Sequence, residues 1–158
     1  METTFSIRTE AFDSPDARRL IAALDAELGA LYPPTQRFGP NFTAAQIEGG
    51  RGTFLVARDG DIAVGCGAIR LLDATTAEVK RMYVVTDRRG SGAGRAVLEA
   101  LEAAARDLGV RRLVLETGVH QHAAIGLYLR AGFAQSTAGA NTPRRPRACA
   151  TKRTSECR

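Results

Sequence analysis

Apolar and polar positions along this chain follow two periods, and the switches between them mark out the elements. Residues 4 to 9 alternate as a strand does. Asp13, Ser14 and Pro15 then form a helix start, a polar cap followed by proline at the first helical position. Ala17, Leu20, Ile21, Leu24, Leu28 and Leu31 recur at the helical period and predict an amphipathic helix. The stripe stops at the proline-rich "YPPTQRFGP", and a short helix is expected near Thr43 to Glu48. Two strands follow, "TFLVAR" and "DIAVGCGAIRLL", joined across Asp59-Gly60, a dipeptide that favours a tight hairpin. A third strand is "TTAEVKRMYVV". Beyond a glycine-rich loop, Val97, Leu98, Leu101, Ala104, Ala105 and Leu108 predict a helix ending at Gly109. "RRLVLETG" reads as a largely buried strand, and "QHAAIGLYLRAGF" as a helix closing on Gly132.

A strand meander that gives way to alternating strands and helices predicts a mixed α/β sandwich layered around one sheet. From Thr142 onward, "TPRRPRACATKRTSECR" has almost no large apolar side chain, and Pro143 and Pro146 cannot donate to a sheet ladder. The expectation is a single domain over residues 1–140, its C-terminal strand incomplete, followed by a flexible basic tail over 141–158.

Length agrees with one domain: at 158 residues a chain hides roughly 70% of its unfolded surface. No apolar run approaches the roughly 20 residues that a membrane helix needs, and "METTFSIRTE" lacks the basic and apolar regions of a secretory signal. A cytoplasmic protein with no membrane partner is therefore expected. The three cysteines have no metal-ligand spacing, so no metal is expected. The net charge of +5 resides in the tail: residues 1–140 hold 16 basic and 16 acidic side chains, and 141–158 hold six and one. With no aromatic residues interleaved and no base-reading motif, this excess implies no specific nucleic-acid partner.

The stretch with most chemical content is "RRGSGAGR", Arg88 to Arg95. A phosphate-binding P-loop would need GxxxxGK[ST], and Gly94-Arg95-Ala96 supplies neither the lysine nor the hydroxyl. A dinucleotide fingerprint GxGxxG would need glycine at 95 or 97, where Arg95 and Val97 stand. What remains is a strand running into glycines that open a helix, which aims unpaired N–H groups and the positive helix end at one point. Either an anion belongs there or the glycines only make a tight turn.

Two motifs in order bear on that choice. Arg89, Gly92 and Gly94 match Q/R-x-x-G-x-G/A, and Ala124, Leu127, Tyr128, Gly132 and Phe133 match A-x-x-L-Y-x-x-x-G-F. From about residue 4 to Phe133 the chain resembles the GNAT superfamily of acyl-CoA-dependent N-acetyltransferases. It departs from the pattern at Thr86, where proline is usual, and at Gln121, where asparagine is common. The resemblance implies that acetyl-CoA is the cosubstrate, its pyrophosphate on the N–H groups of Arg89, Gly90, Ser91, Gly92, Ala93, Gly94 and Arg95. It also implies a pantetheine arm along Met82, Tyr83 and Val84, with Gln121 beside the cofactor and an oxyanion donor from the main chain near Met82.

Acetyl transfer to an amine needs a base for the amine and a proton for the departing thiolate. The resemblance places Tyr128 at the thiolate. Glu78, on the strand leading to the cofactor, is the first candidate base, with surface pairing to Lys80 or Arg81 as its bland alternative. Glu116 is the second, and His120 and His122 rank third as solvated loop histidines. The first helices and "LYPPTQRFGPNF" build the acceptor entrance in this family, which makes Tyr32, Arg37 and Asn41 candidate substrate contacts. The expected activity is acetyl transfer from acetyl-CoA to a primary amine of a small molecule or peptide by direct attack, in a chain that could act as a homodimer. The alternative is a degenerate acyl-CoA-binding or regulatory module.

Overall fold

The computed structural model of the chain describes residues 4–34, 42–136 and 147–153. In chain order it contains β1 (Ser6–Thr9), α1 (Pro15–Leu31), β2 (Gly52–Asp59), β3 (Ile62–Leu71), β4 (Thr76–Val84), α2 (Ala93–Asp107), β5 (Arg112–Gly118), α3 (His122–Arg130), β6 (Ala134–Ser136) and β7 (Arg147–Arg153). The strands form one sheet in the order β1-β2-β3-β4-β5-β7-β6. Every neighbouring pair is antiparallel except β4 and β5. This is the layered α/β sandwich that the periodicity predicts, with the mixed, mostly antiparallel central sheet flanked by helices that the GNAT resemblance implies.

The local signals operate as sequence chemistry requires. The Ser14 hydroxyl accepts the Ala17 N–H at 3.1 Å, with Pro15 in the first turn of α1. The β2–β3 hairpin closes with Asp59 opposite Ile62, and Gly60 takes a φ of 59° in the turn. Alternate residues of β2 then feed two cores. Leu55 and Ala57 pack with Val97, Leu98, Leu101, Leu113 and Leu115 under α2, whereas Phe54 and Val56 pack with Ala17 and Leu20 of α1. Each large side chain so buried contributes about 1.5–3 kcal/mol, and together they clamp the sheet between α1 on one face and α2 with α3 on the other.

One expectation is corrected. The chain beyond Thr142 was expected to add no strand, yet Arg147–Arg153 pairs with all seven residues of β5, from Arg112 opposite Arg153 to Gly118 opposite Arg147. On its other side it pairs with β6. An interior strand takes ladder hydrogen bonds from both neighbours, so position in the sheet overrides a composition poor in β-formers. Both prolines precede the strand and lie outside the described residues. The charge is accommodated too: Lys152 Nζ lies 2.9 Å from Glu102 of α2 and donates to the Ala131 carbonyl at 2.6 Å. The tail thereby ties β5 to the C-terminal end of α3.

Candidate active site

The site begins with a defect in β4. Between Cys66 and Ala68 of β3 lies one residue, whereas their partners Tyr83 and Lys80 on β4 enclose two. The extra residue makes a bulge, and Arg81 there has a φ of 54°, in the left-handed region. Gly67 faces the bulge from β3. A Cβ at that position would come within 2.6 Å of the Met82 sulfur and 2.8 Å of Leu101, so only glycine lets Met82 seat against α2. A bulge bends its strand, and β4 parts from β5 just before it: their pairing ends at Val79 opposite Leu115. Beyond that point, among the described residues, β5 pairs only with β7. The two parallel strands part, and a cavity of about 1180 Å³ opens between α2 and α3.

One wall of this cavity is the glycine loop. Gly90 and Gly92 have φ of 77° and 93°, and Gly92 caps α2 without any side-chain hydrogen bond. The N–H groups of the first turn of α2 are therefore left for an outside acceptor, with Gly90, Gly92, Gly94 and Arg95 all lining the cavity. Ser91 turns its hydroxyl back onto the Arg88 carbonyl. Ala93 is buried in the core beneath the loop. Gly94 has a different role: a Cβ there would stand 3.2 Å from Leu127 of α3 and 3.5 Å from Val84, so its absence brings the two helices together. Met82, Tyr83 and Val84 line the same cavity beyond the bulge.

Arg89 spans the loop and α1. Its Nε donates to the Val84 carbonyl at 3.0 Å, both terminal nitrogens bond Glu27 at 2.8 and 2.7 Å, and the guanidinium lies 5.6 Å from the Tyr83 ring centre. The bidentate Glu27 bond is the main cause that raises the Arg89 pKa above its ordinary value. Sequence reasoning passed over Glu27. Its signal was available, since Leu24, Glu27 and Leu31 share one helical stripe, where a lone carboxylate among apolar residues marks a functional or paired position.

Tyr128 projects from α3 into the cavity. It is 6% exposed, its ring stands edge-on to Phe133 at 5.8 Å, and its hydroxyl has no hydrogen-bond partner among the described residues. Burial pushes its pKa far above the ordinary tyrosine value, so the hydroxyl keeps its proton and remains a donor. Gln121 precedes α3 and also lines the cavity, its side-chain oxygen accepting from the Gly118 N–H at 2.8 Å and the Thr117 hydroxyl at 3.2 Å.

The other sequence candidates are spread more widely. Glu78 is 8% exposed and held by Arg70 at 2.7 Å and Lys80 at 3.0 Å. Neither it nor Glu116, exposed on β5 opposite Cys149, lines the cavity. Tyr32 is buried at the end of α1, its hydroxyl accepting the His120 main-chain N–H at 3.0 Å. His120 and His122 both line the cavity. Arg37 and Asn41 lie outside the described residues. Among the described residues, no three His, Cys, Asp or Glu side chains gather as a metal site, and no helix is long and apolar enough to cross a membrane.

A glycine loop on an uncapped helix, a bulged strand splayed from its parallel neighbour and a buried phenol thus meet in one cleft. The chain belongs to the acetyltransferase (GNAT) family, whose model matches residues 16–133. It is 43% identical over 117 residues to the IAA acetyltransferase of Azospirillum brasilense, covering 73% of this chain and 75% of that protein. It is 28% identical to the uncharacterized N-acetyltransferase YedL of Escherichia coli, covering 82% of each. Among solved structures, an acyl-CoA N-acyltransferase assignment from Klebsiella pneumoniae superposes with a TM-score of 0.79 at 35% identity, over 96% of this chain and 99% of that one. An Elizabethkingia anophelis GNAT acetyltransferase solved with acetyl-CoA shares the fold at a TM-score of 0.67 and 19% identity, over 94% and 97%.

Proposed function

We propose that this chain moves an acetyl group from acetyl-CoA to a primary amine of a small molecule or peptide, by direct attack of the amine on the thioester. The observation that carries this reading is the convergence on one cavity of the uncapped α2 N-terminus, the main chain of Met82 to Val84 from the bulge onward, and a Tyr128 hydroxyl without a hydrogen-bond partner among the described residues. The N–H groups of Gly90 and of Gly92 to Arg95 would bind the pyrophosphate, whereas those of Arg89 and Ser91, expected to join them, already donate to the Thr86 and Arg88 carbonyls. Main-chain groups of Met82, Tyr83 and Val84 would hold the pantetheine arm, with an N–H near Met82 facing the oxyanion and Gln121 flanking the arm. Arg89 already occupies the Val84 carbonyl, so the arm reaches that position only as the guanidinium turns toward the phosphates.

In the reaction the amine nitrogen bonds the thioester carbon, the C–S bond breaks, and the thiolate takes the Tyr128 proton. Burial keeps the phenol protonated and so able to donate, and it also makes the phenol a weaker acid, so the proton leaves only as charge builds on the departing sulfur. The test is thiol release from acetyl-CoA across a panel of amines, with and without Tyr128→Phe. Amine-dependent release by the wild-type protein is the expected result, and its absence for every amine class would remove the reading.

A further inference from the structure

The proposed reaction requires a group to take the proton that the amine loses. The carboxylates at the cavity are poorly placed for it. Glu27 gives both oxygens to Arg89, Glu99 lies 2.7 Å from Arg95, and Glu102 lies 2.9 Å from Lys152. Glu78 is fixed by two cations, and neither it nor Glu116 lines the cavity. Among the described residues that do line it, the imidazoles of His120 and His122 are the bases without an ion pair.

His120 differs from His122 in how it is held. Its main-chain N–H donates to Tyr32 Oη at 3.0 Å, and its ring lies 5.4 Å from the Tyr32 ring at 33°. Tyr32 is itself fixed: it is 2% exposed, and a Cβ at Gly118 would collide with its hydroxyl, so this packing demands glycine at the end of β5. The Gly118 N–H is bonded in turn by Gln121, which opens α3 and so connects the arrangement to Tyr128. The first residue beyond α1 thus bonds the turn that carries His120, which lines the cavity.

We infer that His120 takes the proton of the attacking amine and that Tyr32 is the residue that positions it. This rests on the acetyl-transfer reading above. As the N–C bond forms and the C–S bond breaks, one amine proton passes to the His120 imidazole while the thiolate receives the Tyr128 proton. Solvent then takes the imidazolium proton and returns one to the phenolate, which leaves both residues as they began.

The test uses the full chain, acetyl-CoA and an amine that the wild-type protein acetylates. His120→Ala should lower kcat by about 10²-fold with acetyl-CoA affinity unchanged by calorimetry, and free imidazole should restore part of the rate. Tyr32→Phe should lower kcat several-fold while the KM for the amine and the acetyl-CoA affinity hold, a split that general unfolding does not produce. Wild-type kcat in His120→Ala would overturn the proposal, as would a failure of imidazole to restore any rate. A loss of turnover in Glu78→Gln but not in His120→Ala would overturn it in favour of the strand carboxylate. If the wild-type protein acetylates no amine, the reading beneath the proposal fails instead.

Discussion

The two ends of the cleft are built from different materials. At the α2 end the contacts offered are main-chain groups, exposed by Gly90, Gly92 and Gly94 within five residues of each other and by the bulge at Arg81. At the other end the surface is made of side chains from distant segments. Tyr32 meets His120 across 88 positions of sequence. A site made of backbone needs particular residues at particular local spacings, since glycine adopts such φ values at least cost and permits the close approach. A site made of side chains needs only that the fold bring them together. The first kind leaves a pattern in the sequence, and the second leaves single residues that look like any others.

The sharpest way to break this contrast is at the glycines. Gly92→Val forces a branched residue to a φ of 93°, and Gly94→Val pushes methyl groups into Leu127 and Val84. Each should weaken acetyl-CoA binding by at least about a hundredfold, equivalent to about 2.7 kcal/mol. Calorimetry on variants that retain wild-type circular dichroism measures this, and unchanged affinity in both would show that the loop is only a turn.

Between the two ends stands Tyr128. Tyr128→Phe should leave acetyl-CoA affinity within about twofold and lower kcat by about 10²-fold, the usual scale for a lost positioned proton transfer. Because burial raises the hydroxyl pKa, Tyr128 stays protonated in the resting protein, and its titration should not lower the rate at neutral or mildly alkaline pH. Near-wild-type turnover by the variant would return Tyr128 to the role of core residue beside Phe133.

The third test concerns β7, which keeps the far half of β5 in place once β4 has departed. The Lys152 and Glu102 side chains are 11% and 7% exposed, so removal of one partner leaves a buried charge poorly compensated. Lys152→Met should cost about 3 kcal/mol of stability, and the double variant Lys152→Met, Glu102→Leu should recover much of it. Urea denaturation of the four proteins in the cycle measures the coupling. A loss below about 0.5 kcal/mol in the single variant would mean that the tail strand is weakly attached.

How far the sequence disclosed all this follows the same division. The order of elements through α3 was legible because each apolar period ran long enough to bury a face, as with Leu20 and Leu24 in α1 or Val97 and Leu101 in α2. The glycine loop and Tyr128 were legible as motifs. β7 was not, because alanine, threonine and lysine carry little strand preference and the stabilising partners, β5 on one side and β6 on the other, are not neighbours in local sequence. The Tyr32 contact was hidden for a related reason. Gly118 reads as an ordinary strand end until the phenol above it is known.

The smallest effect is expected at the bulge, and it asks whether the main-chain end depends on any side chain at all. Arg81 sits at a φ of 54°, where a non-glycine residue costs roughly 1 kcal/mol relative to glycine. Against that, its guanidinium bonds Asp25 of α1 at 2.7 Å, a pair in which the Asp25 side chain is 57% exposed, and exposed pairs contribute about 0–1 kcal/mol. The two terms are of similar size and opposite sign, so Arg81→Gly should change stability by less than about 1 kcal/mol and leave acetyl-CoA affinity intact. Arg81→Ala keeps the strain and loses the pair, so it should be the less stable of the two. Thermal and urea unfolding of both variants, with calorimetry for the cofactor, read the difference. If Arg81→Gly proves the less stable, or if it alone loses acetyl-CoA, then the ion pair to α1 holds the bulge open, and the backbone end of the cleft depends on a side chain after all.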